Sequence, residues 1–430
     1  MIFNINLVSG IIIFVLSILL MILSIILVPK LKFWIAPLVG AAVLLVFNIV
    51  DFNVALDELL KADSINPIQI LILFISMTFI SIVLDELGLF KYLACVTLKK
   101  AKSKQFVLFI LLYALTSFLT IFTSNDIIIL TFTPFIIFFC KNAKINPLPY
   151  LMCEFVAANT WSMIFIIGNP TNIYLATSLN IGFLEYFNIM ALPTVAAGVT
   201  SFLVLLLLFR HQLSEGLNSY DTESVTIERK TPLIITLSIL IICVILLVLQ
   251  SAINLPMYLI CLVSAILVLI VNTISNIKYK ELTVINALKA APYDLIPFVL
   301  SMFVLTLFLK EYNITKLLVE LFGENQTILK YGFSSLLICN LINNIPMSIL
   351  YSNIISQAPL LLLPEATFST IIASNIGAFL TPIGALAGIM WLNILKKNNI
   401  RFNFLDFMKY GVVIALPTLF ASLLVLSFIV

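Results

Sequence analysis

The sequence predicts an all-α polytopic membrane protein built as two inverted repeats, and three observations carry that reading. Of the 430 residues, 62% are hydrophobic and only 10% are charged, against roughly a quarter charged in an ordinary soluble domain. Residues 11–28, 33–50 and 234–249 carry no charge at all, and runs of that length approach the roughly 20 residues an α-helix needs to span a bilayer. Each half also contains, in the same order, two apolar regions interrupted by polar residues. These are Thr123-Ser124-Asn125-Asp126 and Gly168-Asn169-Pro170-Thr171-Asn172, then Ile342-Asn343-Asn344-Ile345-Pro346 and Leu380-Thr381-Pro382-Ile383. A β-barrel would show short alternating segments instead.

Taken in order, apolar runs predict spans near 10–28, 33–50 and 67–84. The basic stretch 85–104 follows, with Leu87, Leu89, Tyr92, Leu93 and Val96 at helical spacing beside Lys91, Lys99, Lys100, Lys102 and Lys104. That pattern predicts an amphipathic helix at the membrane interface. A two-armed hairpin (105–140), a broken helix (148–180) and a span (184–209) complete the first repeat, residues 1–209. The polar stretch 210–231, with the chain's one histidine, His211, is the linker. The second repeat, 232–430, has spans at 232–252, 256–274 and 291–309, and a mixed segment at 310–326. A hairpin (327–357), a broken helix (366–395) and a last span (404–430) complete it. The prediction is about ten transmembrane helices plus two re-entrant hairpins and two broken helices.

Charge orients this arrangement. With both hairpins re-entrant, each half has an odd number of spans, so the second is inverted relative to the first. Loops 29–32, 85–104, 141–147, 210–231, 275–290 and 396–403 then share one side and hold eighteen of the twenty-three Lys and Arg residues. By the positive-inside rule that side is cytoplasmic. Both termini are expected outside a plasma membrane, and the opposite face carries the acidic loop with Asp51, Asp57, Glu58 and Asp63. The first apolar run lacks a basic region before it and a small-residue cleavage site after it, so it reads as a retained span.

Backbone that leaves the helical ladder at membrane depth survives only where protein or a water-filled cavity satisfies it, so the four breaks mark a site. Half-helix N-termini favour an oxyanion, while unwound carbonyls and Asn or Ser side chains hold a cation. The candidates are Ser124, Asn125, Asn169, Thr171 and Asn172 in the first half. In the second half they are Asn343, Asn344, Ser374, Asn375 and Thr381. Asp126, a carboxylate at a hairpin tip, is expected to bind a proton or sodium, and Ser124, Asn125, Asp126 and Asn344 together outline a sodium site. Glu154 lies near the start of a span and is divided between an interfacial and a functional role. Asp85, Glu86, Asp294 and Glu365 sit at span ends and read as solvated. The first half's Gly168-Asn169-Pro170-Thr171 is matched with Leu380-Thr381-Pro382-Ile383.

Other functions find little footing. No nucleophile, base and orienter set appears, so the chain is not read as an enzyme. Cys95, Cys140, Cys153, Cys243, Cys261 and Cys339 are scattered, with no metal-ligand spacing. No phosphate-binding loop is present, so no cofactor is expected beyond a coupling sodium ion or proton, and any ATP hydrolysis would need a separate ATPase subunit. Nothing suggests nucleic-acid binding. A channel lacks a ring of like charges or a filter-like repeat.

These motifs resemble the ion transporter superfamily, and within it the arsenite permease and sodium/proton antiporter group. Ser124-Asn125-Asp126 followed by Leu130-Thr131 and Pro134 is similar to that group's first hairpin, and Asn343-Asn344-Ile345-Pro346 to its second. Leu380-Thr381-Pro382-Ile383-Gly384-Ala385-Leu386-Ala387 through Trp391-Leu392 resembles the arsenite permease form of the second broken helix. Gly168-Asn169-Pro170-Thr171-Asn172 is closer to the break of divalent-anion/sodium symporters. The resemblance implies a secondary transporter with scaffold and transport domains, often a homodimer, moving by an elevator-like step. Arsenite or antimonite export coupled to protons is the leading expectation. Sodium-coupled uptake of a dicarboxylate or citrate-type anion comes second, and sodium/proton antiport third.

Overall fold

The computed structural model describes residues 5–27, 32–60, 66–101, 104–214, 226–279 and 281–430, and every regular element within them is helical. The first half opens with α1 (Ile5–Leu27), α2 (Ile35–Val46), α3 (Phe52–Leu60), α4 (Pro67–Glu86) and α5 (Leu89–Ala101). Its hairpin is α6 (Gln105–Phe122) and α7 (Asn125–Ala143), its broken helix is α8 (Leu148–Trp161) and α9 (Pro170–Ser178), and α10 (Phe183–Leu213) ends it. The second half opens with α11 (Lys230–Val248), α12 (Gln250–Ile253), α13 (Met257–Tyr279), α14 (Thr283–Ala290), α15 (Leu295–Glu311) and α16 (Ile314–Phe322). Its hairpin is α17 (Thr327–Ile342) and α18 (Asn344–Ile355), its broken helix α19 (Leu363–Gly377) and α20 (Leu386–Lys397), and its last helix α21 (Phe404–Leu426).

Local chemistry sets many of these ends. Asn66 caps α4, its side chain accepting from the Ile68 and Gln69 N–H groups at 3.0 and 3.2 Å with Pro67 in the first turn, a placement that uses donors a helix start leaves free. Asn403 and Asp406 close a reciprocal capping box on α21. Lys144 ends α7 in the left-handed region at φ 53°.

Packing follows the repeat. Helix α1 lies on α2 as α11 lies on α13, and α2 meets α15 as α13 meets α4. Within each half α6 packs on α8 and α17 on α19, while α8 meets α10 and α19 meets α21. The halves interlock through their broken helices: α9 packs on α18 and α20 on α7. Helices α10 and α21 run against each other as the last pair. Burial separates the parts. Helices α8 and α19 are buried around nearly their whole circumference, whereas α11 exposes Ile234, Ile241, Ile242 and Ile245. A helix apolar all round belongs inside a bundle, and one with an exposed apolar flank faces lipid.

Ten described helices are long and apolar enough to cross a membrane, as the sequence predicts, but they are not the same ten. Both arms of the first hairpin qualify at 18 and 19 residues, while the predicted span 33–50 yields only the 12-residue α2, which stops before Asn48 at φ 51°. At 1.5 Å per residue such a helix rises about 18 Å, well short of a hydrocarbon core. The predicted loops 51–63 and 275–290 contain the short helices α3 and α14. Residues 215–225 of the predicted linker lie outside the described residues.

Candidate functional site

The first broken helix turns on Asn169. Its side chain accepts from the Thr171 N–H at 3.1 Å, starting α9 at Pro170, while its amide crosses to the other half and donates to Asn375 Oδ1 at 2.8 Å. The same oxygen accepts from Ser162 Oγ at 3.0 Å. Asn375 Nδ2 in turn donates to Asn172 Oδ1 at 2.7 Å, and Asn172 Nδ2 donates to the Ser162 carbonyl at 2.8 Å, where α8 ends. Thr171 Oγ1 and Ser374 Oγ lie 3.1 Å apart. All these residues are buried. Asn375, in the last turn of α19, is therefore the hub at which the first half's break is bound to the second half. The Ser162 and Phe165 carbonyls freed by unwinding accept from the Asn172 amide, and the Met163 carbonyl from the Tyr186 hydroxyl, as low-dielectric surroundings demand.

The second break is arranged differently. Thr381 accepts from the Ile383 N–H at 3.3 Å, and the Thr381 N–H donates to Asn340 Oδ1 of α17 at 3.0 Å. Asn343, at φ 78°, caps α18 and donates from Nδ2 to the Ile383 carbonyl at 2.9 Å. The second hairpin thus clasps the break of its own half. At the first hairpin Asn125 Nδ2 donates to Asn159 Oδ1 of α8 at 2.9 Å.

Alignment of the elements corrects the predicted match between breaks. A constant spacing of 216 residues relates Trp161 to Gly377, Gly168 to Gly384 and Pro170 to Leu386. The counterparts of Asn169 and Asn172 are therefore Ala385 and Gly388, not Thr381 and Gly384; matching on the prolines shifted the register. Each glycine lies against the end of the preceding half-helix. A Cβ on Gly168 would stand 2.3 Å from the Ser162 carbonyl oxygen, and one on Gly384 2.2 Å from that of Gly377.

Of the predicted residues, the structure joins Asn169, Thr171, Asn172, Ser374 and Asn375 directly. It places Asn343 and Thr381 around the neighbouring Ile383 turn, and Asn125 on Asn159. Ser124 Oγ and Asn125 Oδ1 are buried without a hydrogen-bond partner, as are Thr120 Oγ1 of α6 and Thr160 Oγ1 of α8. Asn344 is buried at the second tip. Asp126, one residue beyond Asn125, has no ion pair or side-chain hydrogen bond among the described residues. Asn159, Ser162 and Asn340 were missed. A signal for one of them existed: Asn159 stands nine residues before Gly168 as Asn375 stands nine before Gly384.

The predicted solvated acids divide. Asp85 accepts from Thr131 Oγ1 of α7 at 2.9 Å, tying α4 to the first hairpin. Asp294 receives both Lys32 Nζ at 2.8 Å and Trp34 Nε1 at 3.0 Å. A cleft of about 480 Å³ lined by Glu324, Gln326, Glu365 and Phe420 opens at the start of α17 and the end of α21 and shares no residue with the amide network.

Two repeats joined through buried, amide-lined helix breaks define a polytopic membrane transporter. Residues 12–371 match the citrate transporter family, and the chain belongs to that family. It is 25% identical over 367 residues to the arsenical pump membrane protein of Escherichia coli strain K12, across 82% of this chain and 85% of that one. To the 46 kDa membrane protein of Mycobacterium leprae it is 22% identical over 402 residues, across 88% and 90% of the two chains. The crystal structure of the YdaH transporter of Alcanivorax borkumensis superposes with a TM-score of 0.56 at 13% identity, covering 96% of this chain and 98% of that one. That last likeness is one of fold.

Proposed function

We propose that the chain exports arsenite or antimonite, as the neutral acid, from the cell across the plasma membrane in exchange for protons. The observation that carries this reading is the make-up of the site: amides and hydroxyls surround Asn375, and among the described residues no Lys or Arg hydrogen-bonds to any of them. A neutral acid with several hydroxyl groups exchanges donors and acceptors with such a surface, whereas a multiply charged anion would need cationic groups to offset its desolvation. The likeness to the arsenical pump membrane protein supports the same substrate class. Asp126 is the titrating group at the first tip. The elevator-like step carries the hairpins and broken helices past the first spans of each half, and a homodimer provides the fixed frame. Both termini lie outside. Expression in an arsenite-sensitive host should raise resistance and lower cellular arsenic; unchanged resistance and arsenic content would reject the reading.

A second reading, sodium-coupled uptake of citrate or a dicarboxylate, has its own support. Ser124 Oγ and Asn125 Oδ1 are unpartnered buried oxygens beside Asp126, and hard cations take oxygen ligands of this kind. With Asn344 from the opposite tip they are the proposed sodium ligands, and the family match agrees with an anionic cargo. Sodium-dependent accumulation of labelled citrate or succinate in proteoliposomes, with no arsenite flux, would establish this reading in place of the first.

A further inference from the structure

Glu154 is the ionisable side chain that the amide network leaves out, and the interfacial role allowed for it by sequence does not hold: it has no exposed surface. Two helices close over it. Thr133 Oγ1 of α7 stands 3.1 Å from each carboxyl oxygen, and Trp391 of α20 brings its indole to the same carboxyl. The Trp391 Nε1–H, itself fully buried, does not reach hydrogen-bond geometry with any acceptor.

The other titratable group facing it is the neighbouring Cys153 thiol. Lys141 of α7 donates to the Asn398 carbonyl instead, and Lys396 and Lys397 belong to the far turn of α20. Tyr113 of α6 bonds to the Gly198 carbonyl and Tyr186 of α10 to the Met163 carbonyl. Helix α19 carries Glu365 in its first turn. No ion pair reaches Glu154 among the described residues.

A carboxylate offers about four acceptor sites, and Thr133 has one proton to give. Buried charges are otherwise paired or lost to protonation. Among the described residues Thr133 Oγ1 is the one donor that reaches the carboxyl, and the indole N–H is left without a partner, an arrangement that suits the protonated acid. Ionised, it attracts both donors, and closing the indole onto it draws α20 toward α8. We propose that Glu154 binds and releases the coupled proton and that, through Trp391, its charge sets the position of the second broken helix. The step is a proton transfer alone: the carboxyl O–H bond breaks, its electrons stay on oxygen, and the proton passes to water when the site opens.

This inference rests on the proton-coupled reading above, and two readouts keep the failures apart. The first is pH-difference infrared spectroscopy of the purified full chain. A protonated-carboxyl band should disappear as pH rises in Asp126→Asn, where the acid of the first tip is gone, and be missing from Asp126→Asn combined with Glu154→Gln. A band that stays constant in the first variant, or persists in the second, overturns the proposal. The second is arsenite accumulation in proteoliposomes under an imposed pH difference, where each coupled proton contributes about tenfold per pH unit. Glu154→Gln should fall to no accumulation with unchanged thermal unfolding, and Trp391→Phe should keep the infrared band while losing accumulation. Wild-type accumulation in both variants would overturn it. A wild-type chain that moves no arsenite rejects the substrate reading, while the infrared band still decides the proton site.

Discussion

The two helix breaks occupy equivalent places in the repeat and are held by opposite means. The first relies on side chains of its own, Asn169 and Asn172, which reach across to Asn375 in the other half. The second has Ala385 and Gly388 in those positions and is held by amides that come to it from α17, Asn340 and Asn343. One break is bolted between halves and the other within its half. Helices α8, α9 and α19 are thereby bonded into a single block, while the turn that leads into α20 is held by the second hairpin.

That contrast can be broken at its strongest point first. Asn375→Ala leaves Asn169 Nδ2 and Asn172 Oδ1 short of partners, and each unsatisfied buried group costs about 1–3 kcal/mol. Thermal unfolding should show this as the largest loss in the site, together with loss of transport. Next come Gly168→Ala and Gly384→Ala. The new methyl group meets a backbone carbonyl in each, and overpacking of this kind costs about 1–3 kcal/mol. The two should be damaged alike, and a large inequality would discredit the register that pairs them. Thr381→Ala removes a turn cap worth about 1 kcal/mol, so it should cost less than Asn169→Ala, which removes a cap and the bond between halves together. Smallest of all, Lys32→Ala opens the exposed pair with Asp294, where about 0–1 kcal/mol is at stake.

Much of this was legible in the sequence because the membrane makes departures from apolar helix conspicuous. An Asn-Pro or Thr-Pro pair inside an uncharged run has few structural uses other than a break, and Asn169, Asn172 and Thr381 announced themselves that way. The register between breaks was not legible from the prolines, because Pro170 starts a half-helix and Pro382 starts the turn before one. Asn340 stayed hidden because an amide inside a continuous helix disturbs no pattern, whereas Asn159 was legible only once the repeat register that pairs it with Asn375 was known. Glu154 was hidden for a related reason. Its distance from the end of a span suggested contact with headgroups, and only the packing of α7 and α20 over it closes it off.

The central contact of the molecule is the break of the first half lying against α19 of the second. Thr171 and Ser374 test this directly, since their oxygens are 3.1 Å apart. In a background whose native cysteines are replaced, Thr171→Cys with Ser374→Cys should form an intramolecular disulfide under mild oxidation of the membrane-embedded protein. Failure to cross-link in a folded double variant would mean that the two halves do not meet at their breaks.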